Sequence, residues 1–141
     1  MYDEILCPTD GSPGSDAAVE HAGYLAELAD ARIHALFVVD ETIAGADGWD
    51  VVVEREEERG ERALDAVAAA DAERGVPVEK HLRRGNPHEE ILDAAGDYEV
   101  DLIVMGTHGR TGVGRFLTAG SVAERVVRHS ETPVLTARLE G

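Results

Sequence analysis

The chain has 141 residues, of which 43% are hydrophobic, and this length and composition suit one domain with its own core. Acidic residues outnumber basic residues by 29 to 13, and the formal net charge is -16. A surface of this charge repels nucleic-acid backbones and anionic membranes, so we expect neither as a partner. Acidic side chains are spread along the chain, and Lys80 is the only lysine. We therefore interpret the acidic residues as a well-solvated surface rather than as a docking face for a basic partner.

Targeting signals and metal-ligand patterns are absent from the sequence. The N-terminal residues lack the basic start and apolar stretch of a signal peptide, and no run approaches the roughly 20 apolar residues of a membrane helix. We therefore expect a cytoplasmic protein. Cys7, the single cysteine, is predicted to be a small core residue. The histidines, including His34 and His81, show no metal-ligand spacing, so neither a protein metal site nor a catalytic residue is predicted.

Short apolar runs alternate with longer helical patterns from the start of the chain. The first strand is predicted over Glu4–Pro8 and the second over Arg32–Val39. Between them, apolar residues recur at helical spacing. They form the predicted inward side of the first helix: Ala18, Ala22, Leu25, Leu28 and Ala29.

The middle of the chain is more polar. After a predicted loop over residues 40–50, a charged stretch over 54–62 continues into apolar positions up to Ala68, which predicts one long helix with a solvated face. A polar third strand over residues 76–84 is expected near an edge of the sheet. Asn86 and Pro87 then predict the cap and first residue of a third helix, with Glu89 completing a capping box.

The last third of the chain holds two further strands and a helix. Residues 102–105 are fully apolar, which is typical of a central strand in a parallel sheet. Ser121 and Glu124 predict a capping box for the last helix. Its predicted apolar side consists of Val122, Val126 and Val127. Residues 133–136 form the fifth predicted strand.

This alternation predicts a single doubly wound α/β domain over residues 1–141, with helices on both faces of a parallel sheet. Ligands of such sheets bind beyond the carboxyl ends of the strands, at the switch point of the strand order. Three stretches end strands there: Pro8-Thr9-Asp10, Val38-Val39-Asp40 and Met105 to Gly109.

A glycine-rich loop joins the fourth strand to the last helix. The glycines at 106, 109 and 120 let backbone N–H groups approach a phosphate, and the helix start at Ser121 adds unpaired donors. The loop lacks the lysine and hydroxyl of a Walker A motif and the third glycine of a dinucleotide fingerprint. It therefore predicts a phosphate pocket of another kind, for a nucleotide.

The loop resembles the ATP-binding signature of the universal stress protein family, G-x-x-G, a spacer and G-[ST]. Gly106, Gly109, Gly120 and Ser121 fit this pattern, and the resemblance extends to residues 5–12, 85–87 and 121–136. Ten residues separate Gly109 from Gly120, one more than the usual nine, so we expect the loop to bulge or to shift its register. The acidic composition suggests a halophile-like source.

The resemblance implies a fold, a ligand and an assembly. The fold is a five-stranded sheet of order 3-2-1-4-5, similar to that of the adenine nucleotide alpha hydrolases, and the assembly is a homodimer paired through Pro133 to Arg138. The ligand is ATP, with Mg or Mn carried on its phosphates. The residues implied to bind the nucleotide are Pro8, Thr9, Asp10, Val38, Met105, Gly106, Gly109, Arg110, Gly120 and Ser121.

The leading functional hypothesis is a nucleotide-regulated stress-response module rather than an enzyme. The longer spacer and the missing phosphate-site lysine favour a second hypothesis, a stress protein that binds no nucleotide and has a structural or chaperone-like role. A third is slow ATP hydrolysis or autophosphorylation at Thr107, Thr111 or Ser121, for which no general base is evident. Structural roles stay open as well: Ser121 as a helix cap, Asp10 as a turn former and Gly106 as a tight strand exit.

Overall fold

The structure is a computed structural model that describes residues 1–41, 49–107 and 122–138. The strands in these ranges are β1 Glu4–Pro8, β2 Arg32–Asp40, β3 Val78–Gly85, β4 Leu102–Gly106 and β5 Val134–Ala137. The helices are α1 Pro13–Ala29, α2 Trp49–Ala72, α3 Pro87–Asp97 and α4 Val122–His129. Most of the predicted loop over residues 40–50 lies outside the described residues, and α2 begins at Trp49. None of the described helices combines the length and apolar character needed to cross a bilayer.

The strands form one parallel sheet in the order β3-β2-β1-β4-β5, which confirms the predicted strand order. The polar strand β3 lies at one edge and the apolar β4 lies inside the sheet, as predicted. β2 and β3 pair over eight register positions, from Ile33 opposite Val78 to Asp40 opposite Gly85. β1 and β4 pair at only two, so their paired region ends well before the strands do. The switch point of the sheet lies between these two strands.

Helices cover both faces of the sheet, because alternate strand residues point to opposite faces. On one face, α1 and α2 pack over β-strand residues such as Ile5 and Phe37, and the buried Cys7 belongs to this core as predicted. On the other face, α3 and α4 pack over Leu6 and Ile103. Gly60 brings α2 close to the sheet, because a Cβ there would lie 2.6 Å from the Phe37 ring.

Three apolar residues assigned to inward helix faces are exposed instead. Leu28 is 67% exposed, because the buried stripe of α1 runs through Ala22 and Ala26 and, at 3.6 residues per turn, Leu28 lies on the far side. Ala29, at the end of the same helix, is also exposed. Val127 is 52% exposed, because α4 buries the stripe through Ala123 and Val126.

The start of α3 matches the sequence prediction in position but not in bonding. Asn86 occupies the cap with extended backbone angles, and Pro87 follows it at the first helical turn. The Asn86 side chain makes no capping hydrogen bond. The fixed backbone angle of proline and the acidic first turn, Glu89 and Glu90, therefore support this helix start more than the predicted cap does.

Candidate functional site

The turn after β1 is built from main chain and short polar side chains. The backbone N–H of Thr9 donates to the carbonyl of Leu36 at 2.8 Å, which extends the pairing of β1 with β2. Thr9 is buried, and its hydroxyl accepts from the backbone N–H of Gly11 at 3.2 Å. Gly11 has a φ of 79°, a left-handed conformation that favours glycine. The chain therefore turns sharply into α1 at the carboxyl edge of the sheet.

Asp10 organises the first turn of α1. One of its carboxylate oxygens accepts from the Ser12 backbone N–H at 2.9 Å and from the Ser15 hydroxyl at 2.6 Å. Ser12 caps the helix in turn, since its hydroxyl accepts from the Ser15 backbone N–H. This network supports the interpretation of Asp10 as a turn former, and it fixes the helix N-terminus at the edge where a ligand is expected.

Gly106 ends β4 against the first turn of α1. A Cβ atom at this position would lie 2.5 Å from the carbonyl oxygen of Gly14, closer than real Cβ contacts allow. The close approach alone accounts for glycine at 106, which supports the interpretation of a tight strand exit. The backbone N–H of Thr107 then donates to the carbonyl of Ala137, so β5 pairs to the end of β4. Main chain forms the wall between β4 and α1.

The structure brings part of the predicted nucleotide site together. Residues 8–10 and Gly106 meet at the switch point, and Val38 lies one strand away, near the end of β2. Met105 is buried in the core under α3 and α4, so only its main chain reaches this edge. The remaining predicted residues, Gly109, Arg110, Gly120 and Ser121, lie outside the described residues, as does Thr111.

Arg59 of α2 is a residue at this edge that the sequence analysis missed. Its guanidinium donates to the backbone carbonyl of Asp10 at 2.7 Å and lies 3.8 Å from the Glu56 carboxylate. The predicted solvated face of α2 therefore supplies a contact that ties this helix to the turn after β1. Nothing in the spacing of the charged stretch distinguishes this arginine from its neighbours.

A second group of polar residues gathers at the amino edge of the sheet. The register of β2 and β3 places the His34 Nδ1 atom 3.0 Å from the His81 Nε2 atom, with Glu79 beside them. No spacing in the sequence indicates this group, because the pairing of strands unites residues that are distant in sequence. Burial lowers the pKa of His81, and nearby Glu79 opposes this effect.

Asp71, near the end of α2, is a buried carboxylate on the face of the sheet that α1 and α2 cover. It is 1% exposed, and its Oδ2 atom has no hydrogen-bond partner among the described residues. Burial raises its pKa to about 6, while the charge of Arg74 opposes the shift. Burial and the charge of Asp71 also raise the pKa of the Cys7 thiol to about 12, so the thiol stays protonated.

Comparison with known proteins gives consistent matches. The model of the Universal stress protein family matches residues 1–138. Universal stress protein MJ0531 of Methanocaldococcus jannaschii is 39% identical, over 98% of this chain and 83% of its own length. The solved structure of protein MJ0577 is similar at 30% identity and a TM-score of 0.85, over 100% of this chain and 99% of that one. A universal stress protein solved in complex with cAMP is 25% identical, with a TM-score of 0.74, over 99% of this chain and 98% of that one.

Proposed function

Because the chain belongs to the universal stress protein family, we propose that it binds an adenine nucleotide at the carboxyl edge of its sheet. The observation that carries the proposal is the meeting of β1, β4 and the start of α1 at the switch point, with Gly106 against Gly14. The similar protein solved with cAMP supports an adenine nucleotide as the ligand class. The proposed contacts are Pro8, Thr9, Asp10, Val38, Met105 and Gly106 for the nucleoside, and Gly109, Arg110, Gly120 and Ser121 for the phosphates.

The described residues fit the nucleoside half of such a ligand. The edge between β1 and β4 is walled by main chain at Gly106 and Gly14, and a side chain at 106 would collide with the carbonyl of Gly14. The Asp10 network holds the neighbouring turn in one conformation, which lowers the ordering cost of binding. The Ser12 and Ser15 N–H groups at the start of α1 are already bonded to the Asp10 carboxylate and the Ser12 hydroxyl, so we assign the phosphates to the glycine-rich loop rather than to this helix.

We propose ATP carrying Mg²⁺ or Mn²⁺ as the bound form. The chain has a formal net charge of -16, so a nucleotide whose phosphates are partly neutralised by a cation approaches it at a lower electrostatic cost. The metal would polarise and neutralise the phosphate oxygens when bound. The residues proposed for the phosphates offer backbone N–H groups, one hydroxyl and one guanidinium, which are donors to phosphate rather than ligands to a metal.

Calorimetric titration at high salt tests this function. We expect saturable binding of ATP with Mg²⁺, and an Arg110→Ala variant that binds ATP about 10-fold more weakly while its affinity for adenosine changes little. Arg128→Ala serves as the matched control, because Arg128 is exposed on α4 and pairs with Glu124. Absence of binding at millimolar nucleotide would overturn the proposal and favour a structural or chaperone-like role. Transfer of labelled phosphate to the protein or to water would reveal a slow enzyme instead.

We also propose that the chain forms a homodimer through β5 and its flanks, residues 133–138. The carbonyls of Pro133 and Ala137 accept hydrogen bonds from the backbone N–H groups of Ile103 in β4 and of Thr107 just after it. Successive residues of a strand point their backbone groups to opposite sides. The backbone groups of Val134 and Thr136 therefore point away from β4, at the outer edge of the sheet. No other described strand pairs with this side of β5, and a strand edge of this kind pairs readily with a second copy.

Two substitutions at Thr136 in β5 test the proposed dimer interface. Thr136→Pro removes one outward N–H without removing a hydrogen bond to β4, whereas Thr136→Val keeps that N–H. We expect light scattering to give a dimer mass for the wild type and for Thr136→Val, and a monomer mass for Thr136→Pro at the same concentration. A dimer that persists in Thr136→Pro would place the interface elsewhere.

A further inference from the structure

The strongest unassigned feature is a group of imidazole and carboxylate side chains at the amino edge of the sheet. His34 lies near the start of β2, and Glu79 and His81 lie on the neighbouring β3. In the register of these strands, His34 is opposite Glu79 and Leu36 is opposite His81, so the three polar side chains share one face. This edge is opposite to the proposed nucleotide site.

The donor atoms of these residues lie close enough to share one ion. The His34 Nδ1 atom is 3.0 Å from the His81 Nε2 atom and 3.6 Å from a Glu79 carboxylate oxygen, and all three donor atoms lie within 4.8 Å of one another. Ligands that share a tetrahedral Zn²⁺ with bonds of about 2.0–2.1 Å lie roughly 3.3 Å apart. To reach that arrangement, the proton shared by the two imidazoles must leave, the rings must turn slightly apart, and the half-exposed Glu79 side chain must move toward them.

Neighbouring residues hold the two imidazole rings so that one nitrogen of each is directed at the other. The His34 Nε2 atom lies 3.3 Å from a Glu4 carboxylate oxygen, which can only accept a hydrogen bond, so the ring proton belongs on Nε2. His34 Nδ1 then accepts a hydrogen bond from the Nε2–H group of His81, and a bound ion would take the place of that proton. The Tyr98 ring stacks on His81 with centroids 4.0 Å apart, and the Arg83 guanidinium donates to the Tyr98 hydroxyl. A carboxylate behind a ligating histidine is the usual outer support of a zinc ligand.

We propose that His34, Glu79 and His81 bind a divalent transition-metal ion of the Zn²⁺ class, with Glu4 as the outer carboxylate. Two imidazole nitrogens and one carboxylate oxygen form a ligand set that Zn²⁺ prefers, with a fourth position for water. His34 is buried, whereas Glu79 is half exposed, so the site opens to solvent on the side of β3. Because the ligands come from adjacent strands, the ion would fasten the edge strand β3 to β2.

Zinc titration of the untagged, nucleotide-free chain after chelator treatment tests the proposal, and the absence of nucleotide removes any ion carried on phosphates. We expect one Zn²⁺ per chain, a higher melting temperature with Zn²⁺, and a visible absorption band typical of tetrahedral coordination when Co²⁺ replaces it. We expect His81→Gln and Glu79→Gln to weaken Zn²⁺ binding by about 10–100-fold.

His129→Gln is the matched control, because His129 is exposed on α4, away from the cluster, and this variant should bind Zn²⁺ within about twofold of the wild type. Far-ultraviolet circular dichroism shows whether each variant is folded. Equal Zn²⁺ affinity in the wild type and in a folded His81→Gln chain would overturn the proposal. So would a wild type that neither binds Zn²⁺ nor gains thermal stability from it.

Discussion

The carboxyl edge of the sheet contains a close contact between two backbones, whereas His34 and Asp71 are titratable side chains buried toward the amino edge. At the carboxyl edge, Gly106 lies against Gly14, and hydroxyls, backbone groups and the Asp10 carboxylate complete the turn after β1. Toward the amino edge, imidazoles pair between β2 and β3, and Asp71 is buried at the end of α2. The contact at Gly106 therefore depends on backbone geometry, whereas the amino edge depends on the chemistry of individual titratable side chains. We expect the two edges to respond to different perturbations.

The largest expected effect concerns pH and the buried carboxylate of Asp71. Its pKa is raised from 3.8 to about 6, so the folded chain holds the proton more tightly than the unfolded chain does. The resulting stabilisation is complete below the unfolded pKa and is lost as the pH rises through about 6. We therefore expect the stability of Asp71→Asn relative to the wild type to increase by about 3 kcal/mol between low and neutral pH.

Chemical denaturation of both chains across this pH range at constant high salt measures the difference. Taking the difference between the chains removes the contributions of the many other acidic groups, which both share. A difference that does not change with pH would mean that Asp71 is solvated in the folded chain, and the contrast between the two edges would weaken.

The second prediction concerns the main-chain wall at the carboxyl edge. A Cβ at Gly106 would lie 2.5 Å from the Gly14 carbonyl oxygen, and neither backbone can move without shifting β4 or α1. We expect Gly106→Ala to lower the free energy of unfolding by about 1–3 kcal/mol and to abolish nucleotide binding. Zinc binding at the amino edge should survive in the folded fraction, which separates the two sites.

Gly96→Ala is the matched control for this substitution. Gly96 lies in α3, and a Cβ there meets no atom of the described residues within 4 Å. The same replacement should therefore raise the free energy of unfolding by about 0.5–1 kcal/mol, because alanine favours helix. If both variants lost equal stability in denaturation experiments, the close contact at Gly106 would not be the cause.

The smallest expected effect concerns the low reactivity of the Cys7 thiol. Its thiol is fully buried, and a pKa of about 12 leaves almost no thiolate near neutral pH. We expect a disulfide reagent to modify Cys7 only after the chain unfolds in guanidinium, and Cys7→Ser in the presence of reductant to keep the nucleotide and zinc affinities of the wild type. Rapid modification of the native chain would show that the core beside β1 opens readily.

Sequence patterns predicted the sheet well, because apolar runs and helical periods report burial directly. β4 is fully apolar and lies inside the sheet, and the polar β3 lies at an edge. The same patterns failed for Leu28 and Val127, because an apolar residue at approximately helical spacing still points outward when the buried stripe is narrow.

The polar features of the structure were harder to predict than its core. His34 and His81 come together only through strand register, and no local spacing encodes the register of β2 with β3. Asp71 lies in a helix rich in acidic residues, so its burial beside Gly23 left no pattern in the sequence. The glycines of the carboxyl edge were visible because glycine marks close backbone approach, although Gly106 serves the packing of β4 whether or not a phosphate is present.

The contact between Gly106 and Gly14 also bears on how such a binding edge can change during evolution. This contact between two backbones is a consequence of the fold, so side-chain substitutions elsewhere on β1 or β4 leave it unchanged. Changes in ligand preference would then come from substitutions in the loops that surround this edge rather than in the strands that form it. A descendant of this chain could exchange one ligand for another without rebuilding its core.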